Sequence, residues 1–187
     1  MLRFLSQILL SRVWRRQEAW RPSVLFTFLR SLFSNDLLVE LSENKISIKV
    51  FSSDKNYEAE PFIAIEKTKK GEVVKAIGIK AKRDTARNVT VTNPFQHPRS
   101  FIADFFLAEK IIQHGVFEIH QSRIRPAPRI IMHQLEKTEG GLTSIEDRVL
   151  RELALGAGAR EVVIYLGSKI NTSVDSFNSV KARVSTN

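Results

Sequence analysis

Apolar and polar positions follow two rhythms along this chain, a period of two in short runs and steps of three and four in longer ones. Leu37 to Leu41 and Lys45 to Phe51 are short runs rich in Val, Ile and Leu, separated by Ser42, Glu43 and Asn44. They predict a β-hairpin. In the second run Ile46, Ile48 and Val50 alternate with Ser47 and Lys49, so one face of that strand is expected in a core. Phe62 to Ile65 and Val73 to Ile77 predict two more strands, joined at Lys69, Lys70 and Gly71. Residues 84–98 read as irregular, because Asn93-Pro94 and His97-Pro98 break regular elements.

Phe101, Phe105, Ala108, Ile112, Val116 and Ile119 then make the apolar stripe of an amphipathic helix, which Ile102 and Phe106 widen. Ser100 is placed to cap it, and Gly115 weakens it slightly. Arg125-Pro126-Ala127-Pro128 ends that unit, and Arg129 to Met132 reads as a buried strand. Thr143-Ser144-Ile145-Glu146 is a capping box that opens a second helix. Ile145, Val149, Leu150, Leu153 and Ala154 form its apolar side, and Gly156 is expected to close it in the left-handed conformation. Val162 to Leu166 predicts a last strand. The expected organisation is an arm over residues 1–33, one domain over 34–168, and a flexible, mostly polar tail over 169–187. The order of elements gives an α/β domain with a mixed sheet.

Composition narrows the chemistry. The 187 residues contain no cysteine, which excludes disulfides, thiolate zinc sites and a cysteine nucleophile, and fits a reducing compartment. The formal net charge is +9, which favours acidic partners, either nucleic acid or anionic lipid. One basic cluster, Lys67, Lys69, Lys70, Lys75, Lys80, Lys82 and Arg83, falls around the predicted second hairpin and reads as a solvated face. No aromatic residue interleaves with it, so base stacking has no support and nucleic acid ranks last among the partners.

The other basic segment is the arm. Leu2, Leu5, Ile8, Leu9 and Val13 follow helical spacing, with Arg12, Arg15 and Arg16 around the end of the run and Phe4, Trp14, Trp20 and Phe26 adding aromatic weight. Pro22 divides it. No stretch reaches the roughly 20 uninterrupted apolar residues that span a bilayer. No clear small-residue cleavage site follows the short apolar run, although the arginine-rich, acid-poor makeup also suits an organelle transit peptide. The expectation is an interfacial helical anchor in which Leu2, Phe4, Leu5, Ile8, Leu9 and Trp14 enter the headgroup boundary while Arg12, Arg15 and Arg16 meet anionic phosphates.

Specific words then narrow the fold. In order along the chain stand Phe33-Ser34-Asn35-Asp36-Leu37, Glu60-Pro61-Phe62-Ile63-Ala64-Ile65, Ile77-Gly78 and Ala81-Lys82. Phe101-Ile102-Ala103-Asp104-Phe105-Phe106, Glu109-Lys110 and Gln113-His114 follow, then Arg125-Pro126-Ala127-Pro128-Arg129 and Gly156-Ala157-Gly158-Ala159-Arg160-Glu161-Val162. In this order and spacing they closely resemble MreB, the rod-shape-determining bacterial actin, over roughly residues 31–165. The resemblance implies a ribonuclease-H-like half-domain of the actin/Hsp70 ATPase class, restricted to the amino-terminal half of that fold. MreB proteins bind ATP with magnesium between two halves, polymerise, and lie on the inner face of the bacterial membrane, where they guide cell-wall synthesis.

The chain departs from that family at its chemistry. Where the resemblance places an Asp-Leu-Gly-Thr word against the nucleotide phosphates, this chain has Glu40-Leu41-Ser42-Glu43-Asn44-Lys45. Glu40 keeps a carboxylate, but the glycine is gone and Glu43 brings negative charge. A carboxylate about 4 Å from a phosphate oxygen costs roughly 1–4 kcal/mol, depending on screening. Where the family has Glu-Glu-Pro, whose glutamate orients the attacking water, this chain has Tyr165-Leu166-Gly167-Ser168. Leucine and glycine carry no group able to position a nucleophile. The likeness also omits the second half, with its own phosphate loop and adenine pocket.

Other candidates are weaker. Gly156-Ala157-Gly158 lacks the third glycine of a dinucleotide loop and follows a helix instead of opening one. His97, His114, His120 and His133 lack metal-ligand spacing, and no base stands near Ser168 or Ser173 in sequence. The expected function is therefore a cell-shape-associated cytoskeletal protein, cytoplasmic and peripheral at the inner membrane, with no enzymatic activity and no cofactor. Its vestigial nucleotide site would comprise Glu40, Ser42, Asn44 and Lys45. Its partners would be anionic lipid and MreB filaments or wall-synthesis proteins. The alternatives are an ATPase completed by a separate second half, and a basic nucleic-acid-binding domain.

Overall fold

The computed structural model describes residues 36–98, 100–121 and 126–185. The arm residues Leu2, Phe4, Leu5, Ile8, Leu9, Arg12, Trp14, Arg15 and Arg16 lie outside them, as do Phe33 to Asn35 and Arg125.

The main sheet has five strands. β1 (Asp36–Leu41), β2 (Ile46–Val50) and β3 (Asn56–Ala59) form an antiparallel meander, and β7 (Arg129–Gln134) and β8 (Glu161–Tyr165) continue it in parallel. Their spatial order is β3-β2-β1-β7-β8. β1 and β7 are central and covered on both faces, which is why they read as continuous apolar runs. On one face Leu37, Val39, Leu41, Ile130 and Met132 meet two helices, α2 (Phe105–His120) and α3 (Ser144–Gly156). On the other, Leu38, Ile131, Val163 and Tyr165 meet Ile170, Phe177 and Val180.

That second cover corrects the expected flexible tail. Residues 169–185 lead into α4 (Phe177–Ser185), whose Phe177 and Val180 are fully buried. Arg129 fixes the helix in place. Its guanidinium grips both oxygens of Asp36 at 2.8 and 2.6 Å, donates to Asn178 at 2.9 Å, and lies 4.3 Å from the centre of the Phe177 ring. Lys181 bonds Glu161 at 2.6 Å, and Ser52 N–H donates to the Thr172 carbonyl at 2.9 Å. The segment is polar because only two of its helical positions face inward, too few to show as a stripe.

The small sheet, order β5-β4-β6, consists of β4 (Ile63–Thr68), β5 (Gly71–Ile77) and β6 (Val89–Thr92), with the short helix α1 (Ile79–Lys82) beside it. β6 corrects the irregular reading of 84–98: Val89-Thr90-Val91-Thr92 pairs with β4 just before the Asn93-Pro94 breaker. The basic cluster around this sheet is partly paired, Lys75 with Asp84 at 2.8 Å and Lys82 with Glu60, as a solvated face requires.

The helices differ from expectation in detail. Asp104, not Ser100, caps α2 by accepting from Leu107 N–H at 3.0 Å. Ser100 instead donates to the Ile102 carbonyl. Phe101 is buried ahead of the helix against Phe95, and Phe106 points out. Gly115 is a contact point more than a weakness: a Cβ there would lie 2.6 Å from Ile48 Cδ1 and 2.8 Å from Tyr57, so its absence lets α2 approach β2 and β3. The Thr143/Glu146 capping box forms as read, but Ile145 is exposed. Gly158, φ +96°, and not Gly156, takes the left-handed position after α3, with Ala159 N–H on Ala154 O and Gly158 N–H on Leu155 O. Gly156 remains helical, and a side chain there would strike Glu109.

Candidate functional site

The carboxyl ends of β1 and β7 and the exit of β8 surround a hollow of about 410 Å³. Open sheets with parallel strands place ligands at such ends. Glu40, Ser42 and Lys45 line it, together with Lys49, His133 and Lys169. Asn44 is exposed and does not line it.

Glu40 is nearly buried, and its carboxylate accepts from Lys49 Nζ at 2.6 Å. The register explains the pair. Glu40 faces Ser47 and Leu38 faces Lys49, so Lys49 is the diagonal neighbour of Glu40 on the same face. Lys45 binds Glu58 at 2.7 Å, and this hydrogen bond holds the Glu58 carboxyl below the usual carboxylate range.

The connection after β1 is bonded to itself. Ser42 N–H and Oγ both reach the Lys45 carbonyl at 3.0 Å, and Lys45 N–H returns to Ser42 Oγ at 3.0 Å. Glu43 N–H donates to Glu136 Oε2 at 2.8 Å, while the Glu43 side chain pairs with Lys137. No residue from 42 to 45 has a positive φ, so this turn is built without the conformation that glycine supplies. Glu136 is held by the turn after β7. Gln134 Nε2 donates to the carbonyls of Glu136 and Lys137 at 2.8 and 3.3 Å, and Lys137 takes a left-handed φ of 55°.

His133 lies opposite Glu40 in the parallel register. It is buried, packs edge-on against Tyr165 at 5.0 Å, and its Nε2–H donates to the Gly167 carbonyl at 3.1 Å. Burial lowers its pKa from the ordinary histidine value. At the exit of β8 stand Leu166 and Gly167, with no ionisable group; a side chain at Gly167 would strike the Tyr165 ring. Among the described residues no group of three His, Cys, Asp or Glu could hold a metal ion. No helix there is long and apolar enough to cross a membrane.

Sequence reasoning reached Glu40, Ser42 and Lys45 and missed Lys49, His133 and Glu136. Lys49 was recoverable from the hairpin register, because a loop of four residues fixes which side chains lie diagonal. Glu136 was not, since it meets Glu43 across ninety-three positions of sequence.

The sequence profile of the MreB/Mbl protein family matches residues 35–172. The cell shape-determining protein MreB of Pasteurella multocida is 33% identical over 147 residues, 75% of this chain and 40% of that protein. The Escherichia coli protein of the same name is 35% identical over 141 residues, 72% of this chain and 39% of that protein. This chain thus spans about two fifths of the length of these relatives. In structure it is similar to the MreB5 protein of Spiroplasma citri bound to ADP, with a TM-score of 0.56 at 18% identity over 71% of this chain and 38% of that one. The actin-like fold and the sequence match agree, and the chain belongs to the MreB/Mbl family.

Proposed function

We propose that this protein is a cell-shape-associated cytoskeletal member of its family that neither hydrolyses nor tightly binds ATP. In this reading it works at the inner face of the bacterial membrane, attached by residues 1–33, where it meets MreB filaments or wall-synthesis proteins.

The observation that carries the first part is the connection after β1. A phosphate group is cradled by backbone N–H groups that point at it and have no other acceptor. Here Ser42, Glu43 and Lys45 each donate to a protein oxygen. The nearest carboxylate fit for a hydrated magnesium ion, Glu40, already holds an ammonium group. Glu136 adds negative charge beside the same turn, and the Glu43 carboxylate there is paired with Lys137. Leu166 and Gly167 supply nothing that could orient water. The residues present therefore do not fit magnesium and a nucleotide polyphosphate.

One feature favours the rival reading, an ATPase completed by a separate second half: the hollow is open beside Lys169, for which no acidic partner is found among the described residues. Calorimetric titration of the purified protein with ATP and magnesium separates them. The expected result is no saturable heat at millimolar ligand. Micromolar affinity, or ATP turnover together with a co-purifying second half, refutes the proposal.

A further inference from the structure

A buried carboxylate requires a cation, and backbone N–H groups turned toward a cleft require an acceptor. In a metal-nucleotide site, external ligands meet both needs. Here both are met from within the chain, one by the neighbouring strand of the same hairpin and the other by a turn ninety-three positions away.

The cation is Lys49. Its Nζ lies 2.6 Å from Glu40 Oε2, and the two side chains are 24% and 7% exposed. It reaches Glu40 from the neighbouring strand, on the face that borders the hollow. The anion is Glu136, whose Oε2 accepts Glu43 N–H at 2.8 Å. Glu136 comes from a turn with a non-glycine residue, Lys137, in the left-handed region, a strained conformation that persists only where its surroundings enforce it. Those surroundings are the two Gln134 bonds, the Lys137 pair with Glu43, and the Lys137 Nζ contact with the His97 carbonyl at 2.5 Å. Asn93 Nδ2 donates to the Glu43 carbonyl at 2.7 Å, which fixes the other side of the same residue.

We infer that the cleft is self-liganded: Lys49 acts as a built-in cation for Glu40 and Glu136 as a built-in anion for the Glu43 amide. The half-domain then keeps one cleft conformation with neither divalent cation nor phosphate. This inference rests on the reading that the site takes no nucleotide, and it goes further by naming what stands in for it. It implies that any partner recognising this end of the sheet does so without regard to nucleotide state.

The test uses the full chain and two probes, magnesium chloride and inorganic pyrophosphate. Wild-type thermal unfolding should be the same in magnesium chloride and in sodium chloride of equal ionic strength. Lys49→Met leaves Glu40 without its cation, so the melting temperature should fall by about 5 °C or more. Magnesium should restore part of that loss where sodium does not, and Lys49→Arg should behave as wild type. A Lys49→Met protein as stable as wild type overturns the inference. So does a wild type stabilised by magnesium.

If Lys49→Met does not fold in either salt, Glu136→Ala decides. Hydrogen exchange at the Glu43 amide should rise about tenfold or more as the bond to Glu136 is lost, and pyrophosphate should restore protection. Unchanged exchange overturns the inference. Micromolar ATP binding by the wild type would instead count against the proposed function, so the two failures are distinguishable.

Discussion

Replacing Phe177 by alanine tests whether α4 is an integral cover of the sheet. Phe177 is fully buried in the cluster that also contains Leu38, Ile131, Val163 and Tyr165. Truncating a buried phenylalanine costs about 3–5 kcal/mol, through lost transfer energy and the cavity left behind. The ring also carries the Arg129 guanidinium at 4.3 Å, a contact worth roughly 0.5–2 kcal/mol. The two losses overlap, so about 4 kcal/mol is expected. For a chain of this size that shifts the melting temperature by roughly 8–16 °C. It also removes a large share of a total stability of about 5–15 kcal/mol. Val174→Ala is the control, because Val174 is 82% exposed and should change stability by less than about 0.5 kcal/mol. Urea unfolding followed by circular dichroism gives both values. A Phe177→Ala protein within about 1 kcal/mol of wild type would mean that α4 does not cover the sheet, and the expectation of a flexible tail would be restored.

Three further outcomes follow from the same contacts. Gly115→Ala should destabilise by about 1–3 kcal/mol in urea unfolding, although alanine favours a helix, because its Cβ would meet Ile48 and Tyr57; a more stable variant contradicts the close approach. Burial lowers the His133 pKa, so below the unfolded value of about 6.5 the unfolded chain takes up a proton that the folded chain resists. Stability should therefore fall as pH drops through that window and be unaffected by this group above it; His133→Gln should flatten that limb of the profile, and an unchanged limb sinks the assignment. In sedimentation with liposomes, removal of residues 1–33 should abolish binding to anionic vesicles. Equal sedimentation of both forms, or no preference for anionic over neutral lipid, leaves the arm without its proposed role.

What the sequence disclosed depended on how far each signal reaches along the chain. The β1–β2 hairpin, β7, β8 and the capping box of α3 were legible because their patterns are local and their cores apolar. The family words placed the fold. α4 was illegible because two buried side chains in nine residues make no periodic stripe. β6 was hidden by the breaker that follows it. The roles of Gly115 and Gly156 were invisible because each is set by a distant residue, Ile48 in one case and Glu109 in the other. Conformational reasoning about glycine, which looks only at the chain nearby, misplaced the left-handed residue at Gly156 and could not show the close approach at Gly115.

The placement of the departures has a physical cause. Leu37, Leu38, Val39, Leu41, Ile130, Ile131 and Met132 are fully buried between two layers, so a polar exchange at any of them leaves an unpaired group at a cost of several kcal/mol. Ser42, Lys45, Leu166 and Gly167 sit at strand ends lining an open hollow, where the backbone of residues 42–45 can bond to itself. Ser42, Glu43 and Asn44 make their turn with ordinary φ values, so the turn does not require glycine. Glu40 is the intermediate case. It is buried, and a β2 position one diagonal step away carries the lysine that pairs with it. If the site takes no nucleotide, as proposed, the pairing of a buried acid with a matched base is what holds this end of the sheet to a defined shape. A surface that meets a partner requires such a shape, whether or not it performs any chemistry.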